Sequence, residues 1–71
     1  MLIAELTRTP DVQVTGSDLT LFLFTPNTDT ARQWIDENVP DALWYVDSIA
    51  VEPRYARDLA AGMLSAGFCV R

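Results

Sequence analysis

Histidine and lysine are both absent from this chain of 71 residues, cysteine occurs once and glycine three times. Without histidine there is no side chain whose ordinary pKa lies near neutrality, and the commonest metal ligand is missing. Ser17, Ser48 and Ser65 therefore have no imidazole to activate them, and a Ser-His-Asp or Cys-His device is ruled out. A single cysteine permits no intrachain disulfide. Cys69, between Phe68 and Val70, is expected to pack in the core as a small hydrophobe, because only Arg71 is near enough in sequence to lower its pKa. With so few glycines there is no phosphate-binding loop, and Thr15-Gly16-Ser17 reads as a turn. Asp36, Glu37 and Asp41 do not have the spacing of a calcium loop. No catalytic, cofactor-binding or metal residue is expected, and the chain is predicted not to be an enzyme. A carboxylate-only catalyst would require two close acids of raised pKa in a concave site.

Size points the same way. A chain of this length buries only about 60% of the surface its unfolded form exposes, which leaves little room for a deep substrate cavity. The hydrophobic share of 49% argues against disorder. Met1-Leu2-Ile3-Ala4-Glu5 has no basic region and no sustained apolar run, and no stretch approaches the roughly 18 residues of a membrane span. The expectation is one cytoplasmic domain in a reducing compartment.

Ten carboxylates face five arginines, for a net charge of −5. Lysine-free, arginine-containing sequences also follow from GC-rich coding, so the missing lysine has a bland explanation. The distribution is more informative. From Asp11 to Glu52 there are eight carboxylates and one arginine, a local balance of −7. From Pro53 to Arg71 the balance is +2. An acidic surface does not bind nucleic acid, since phosphate contacts need cations. It suits a basic groove on another protein, or it merely keeps a small domain soluble.

Residues 1–6 are expected to form a short edge strand, and Asp11–Thr15 a second one. Leu19-Thr20-Leu21-Phe22-Leu23-Phe24-Thr25 is the strongest strand signal and is apolar on both faces, which suits a central strand. Asn27 or Thr28 can cap a helix with Asp29 in its first turn and Ala31, Trp34, Ile35 and Asn38 at helical spacing. Arg32 and Asp36 are placed to pair at i, i+4. Pro40 stops that helix. Ala42–Glu52 reads as strand, either unbroken or folded into a hairpin at Asp47-Ser48, and the hairpin is preferred because Asp47 interrupts an apolar run. Pro53 opens a second helix whose inner stripe is Tyr55, Leu59, Gly62/Met63 and Ala66, joined by Ala56 and Ala60. Gly67 caps it, and Phe68-Cys69-Val70 forms a last strand.

The expected fold is α+β, one small domain over 1–71. Residues 1–18 supply edge strands and turns, and residues 19–71 a β-α-β(β)-α-β unit. The small antiparallel or mixed sheet carries two helices on one face, in a trimmed ferredoxin-like (split βαβ) order. Trp34 and Tyr55 are expected in the core. Trp44 and Tyr45 are adjacent on a strand, so one must face away from the helices. That predicts an exposed apolar sheet face and, through it, a homodimer.

Trp34-Ile35-Asp36-Glu37-Asn38-Val39, followed by Val51-Glu52-Pro53-Arg54-Tyr55 and Gly67-Phe68, resembles small, mostly uncharacterised proteins of proteobacterial phages, prophages and plasmids. The resemblance covers about residues 19–70. Some small acidic proteins of such elements are type I anti-CRISPR proteins, several of which imitate DNA with surface carboxylates. The resemblance implies an inhibitor that places Asp29, Asp36, Glu37, Asp41 and Asp47 against the basic nucleic-acid groove of a host protein, such as a CRISPR surveillance complex. Trp44 and Tyr45 would add aromatic contacts. The alternative is a homodimeric accessory or regulatory protein that binds through its apolar sheet face.

Overall fold

The computed structural model describes residues 9–16 and 21–71. The strand expected over 1–6 lies outside them. Among the described residues the order is β1 (Val12–Thr15), β2 (Phe22–Pro26), α1 (Asp29–Asn38), β3 (Leu43–Tyr45), β4 (Ser48–Val51) and α2 (Pro53–Ser65). The strands form one antiparallel sheet in the order β1-β2-β4-β3, and the helices pack together on one of its faces. This is the expected α+β architecture.

Alternation explains the layering. Val14 pairs with Phe24, Phe24 with Ile49, and Ile49 with Trp44, so these four stand in one row on the helix side. Val12, Phe24 and Ile49 are fully buried there against Ala31 and Ile35 of α1 and Ala56 and Met63 of α2. The two helices meet where the Trp34 indole lies against Gly62, and Trp34 and Phe68 make an edge-on aromatic contact with centroids 6.1 Å apart.

The helix ends follow local chemistry. Thr28 is the N-cap of α1, its hydroxyl accepting from the Ala31 amide at 3.1 Å. The helix stops at Asn38, one residue before the position that Pro40 restricts. Pro53 is the first residue of α2, as expected. At the other end Gly67 has φ +95°, its amide donates to Leu64 and the Phe68 amide donates to Met63, which together make a Schellman cap.

Several expectations need correction. Of the expected strand, Leu19 and Thr20 lie outside the described residues, Leu21 is not in the strand, and β2 runs from Phe22 to Pro26, its last paired residue. The hairpin turns at Val46-Asp47; Ser48 already belongs to β4 and pairs with Tyr45. Tyr55 is 53% exposed. The buried line of α2 runs through Ala56 and Met63, and Tyr55 lies one residue, or about 100°, away from it. Ala66 is exposed too. Arg32 stacks on Trp44 and makes no ion pair with Asp36. Cys69 is half-buried.

The strand expected over Phe68-Cys69-Val70 is reduced to a single bridge. Val70 bridges Val12 in parallel, and Cys69–Arg71 exchange backbone hydrogen bonds with Val12 and Val14. The arrangement is compatible with the split β-α-β order, with β1 lying between β2 and the C-terminal residues.

Candidate functional site

Two surfaces carry the residues singled out above, and they differ in chemistry. The first is acidic. Asp29, Asp36 and Glu37 are exposed on α1, Asp41 in the loop after it, and Asp47 in the β3–β4 turn. Asp29 and Asp36 stand two helical turns apart, about 10 Å along the axis and within about 20° around it, so they share one side of the helix. Glu37 accepts a long hydrogen bond from Gln33 at 3.5 Å. Among the described residues the one salt bridge is Arg54 to Glu52, also at 3.5 Å, so Asp29, Asp36, Asp41 and Asp47 have no cationic partner there.

Arg32 is the single arginine in sequence between Asp11 and Glu52, and its guanidinium carbon sits 4.6 Å from the centre of the Trp44 ring. Trp44 lies on the helix side of the sheet, half-buried, because its neighbour across the ladder is the buried Ile49. The stack covers an aromatic that an edge strand would otherwise leave open, and it holds the cation at the flank of α1. Alternation along the strand sends Tyr45 to the opposite face.

Beside the acidic surface, Val39, Asp41, Leu43, Glu52, Tyr55 and Leu59 line an open cleft of about 440 Å³. It brings Asp41 and Glu52 to one concavity although they are distant in sequence. No group of three or more metal-ligating side chains gathers among the described residues.

The second surface is the sheet face turned away from the helices. Leu23, Leu43, Tyr45 and Ala50 supply its apolar part, and Gln13, Thr15, Thr25 and Ser48 its neutral polar part, as the register dictates. Leu43 and Tyr45 are each 68% exposed. With Leu21 they frame a shallow groove of about 370 Å³. The hydroxyls of Thr25 and Ser48 bond each other at 2.6 Å. No carboxylate and no arginine projects from this side of the four strands.

The expected exposed apolar sheet face is therefore present, and Tyr45 is the aromatic on it. Leu43 is a residue the sequence reading missed. Its period-two spacing to Tyr45 was the available signal, obscured by the apolar Trp44 between them. Val46, at the turn tip and 83% exposed, was likewise not singled out.

No family model, curated protein or solved structure matches this chain. No helix among the described residues is long and apolar enough to cross a membrane.

Proposed function

We propose that this chain is a non-enzymatic acidic binding protein that occupies the basic nucleic-acid groove of another protein. The observation that carries the reading is the surface around α1, where Asp29, Asp36, Asp41 and Asp47 are exposed without an ion-pair partner among the described residues. Among the described residues, Arg32 on the same helix is engaged with an indole. Such a surface attracts an array of arginines and lysines as a phosphate backbone does, and field complementarity gives it association rate and orientation. A host defence complex that binds nucleic acid, of the CRISPR surveillance type, is the partner class that the phage-protein resemblance suggests. Trp44, covered by Arg32, would add contact area beside the acids of α1, whereas Tyr45 stands on the opposite sheet face.

The test is capture from bacterial host lysate at low and high salt, with and without competing duplex DNA. It is run beside a variant carrying Asp29→Asn, Asp36→Asn, Glu37→Gln and Asp41→Asn. The expected result is a nucleic-acid-binding protein retained at low salt, released by DNA and by salt, and missed by the variant. Retention by both forms at every salt concentration would overturn the proposal.

A further inference from the structure

We infer that the outer face of the sheet is where a second copy of this chain docks, face to face, to form a two-fold dimer. The inference stands apart from the acidic surface and survives if that reading fails. A symmetric interface must be complementary to itself. In a chain of net charge −5, most surface patches repel their own copies. The outer sheet face is different: its eight strand side chains carry no carboxylate and no arginine, and Leu23, Leu43 and Tyr45 rise from it. Its hydroxyls at Thr25 and Ser48 share one hydrogen bond, which lowers the cost of taking one of their two O–H donors out of water.

Charge also decides the geometry. β3 ends the sheet, and among the described residues nothing pairs with its far edge. Pairing two β3 edges antiparallel, centred on Trp44, would set Asp41 of one copy opposite Asp47 of the other. Acids at both ends of an open strand deter that register. Stacking the two faces instead, at the usual sheet separation of about 10 Å, keeps those carboxylates at the rim. Four strands about 4.8 Å apart make a patch roughly 20 Å wide, small for a stable interface. The expected affinity is therefore weak, with a Kd on the order of 10–100 µM.

Sedimentation equilibrium on the full chain, from about 10 µM to 1 mM, tests this in about 20 mM and about 500 mM salt. Screening removes repulsion between like-charged copies, so the dimer is expected to tighten several-fold at high salt. That is the reverse of the salt effect on an acidic site meeting a basic groove. Tyr45→Ser, at an exposed position, is expected to weaken self-association at least about tenfold while the circular dichroism stays native. Asp36→Asn with Glu37→Gln is expected to leave it intact. A monomer at every concentration, the result if another segment or another protein occupies the face, overturns the inference. So does a dimer that loosens with salt, or one that Tyr45→Ser leaves unchanged.

Discussion

Val46 is the one described non-glycine residue with positive φ, at +59°. It stands first in a two-residue hairpin loop, where positive φ is the pattern of a II′ turn and glycine is the usual occupant. A β-branched side chain there is crowded against its own backbone, at a cost of about 1–2 kcal/mol. Its side chain is 83% exposed, so little packing offsets that strain. Val46→Gly should raise stability by about 0.5–1 kcal/mol, after allowing for the freer unfolded chain. A urea melt checks it, and a lower midpoint would refute it. Val46→Thr keeps the branch and should gain nothing. Gly16 is the converse case. Its φ is +121°, and a Cβ there would stand 2.6 Å from the Leu21 carbonyl oxygen and 2.9 Å from the Phe22 Cα. Both are backbone atoms that cannot step aside. The close approach of Gly16 to the start of β2 thus depends on the missing side chain.

Among the elements, the C-terminal segment is held in the most conditional way. Its backbone pairs with β1, but its entry is fixed by one side chain, the Asp11 carboxylate, which accepts from the Cys69 amide at 2.8 Å. A charge-assisted bond in a partly buried place contributes on the order of 1 kcal/mol. Asp11→Ala should therefore cost about that much and speed amide exchange at Cys69 and Arg71, while the Phe24 and Ile49 amides keep their protection. Unchanged exchange at Cys69 would show that the backbone bonds alone hold the segment. From the sequence, Phe68-Cys69-Val70 reads as a strand because three apolar residues follow a capping glycine, but only Val70 makes a bridge. Its partner is not legible, because parallel pairing with β1 joins residues 58 apart and leaves no local pattern. The hairpin was legible for a similar reason as the helices: Asp47 breaks an apolar run as Pro40 and Gly67 break helical ones. Its one-residue offset arose because Val46 reads as a strand residue and Ser48 as a turn residue, whereas register fixes the reverse.

For the molecule as a whole, the core is narrow. Seven hydrophobic residues are buried among those described, and Phe24 is the largest. It sits on the central strand and meets both neighbours and the helices, so one truncation affects every layer. Phe24→Ala should cost about 3–5 kcal/mol. A domain of this length has roughly 4–10 kcal/mol of stability, so much of it would be lost. Thermal melting followed by far-UV circular dichroism checks the prediction. Met63→Leu, which keeps volume in the same cluster, should cost less than about 1.5 kcal/mol. A Phe24→Ala melt indistinguishable from the parent would mean that the sheet and helices do not share one cooperative core.

What the sequence determined by itself was the menu of elements and the exclusions. Proline, glycine and capping residues act within a few bonds of where they stand, so the ends of both helices and the identity of β2 follow from composition and spacing. The absence of histidine and the single cysteine leave these 71 residues without an imidazole base and without an intrachain disulfide for the same reason, since a missing side chain is missing in any fold. Only the tertiary structure decided which side of each strand meets the helices. That choice turned Trp44 inward beneath Arg32 and Tyr45 outward, took Tyr55 out of the core, and gathered Leu23, Leu43 and Ala50 into one uncharged face. Facing is set by strand register and by which strands become neighbours. Both depend on contacts between residues far apart in the chain, and no local pattern encodes them.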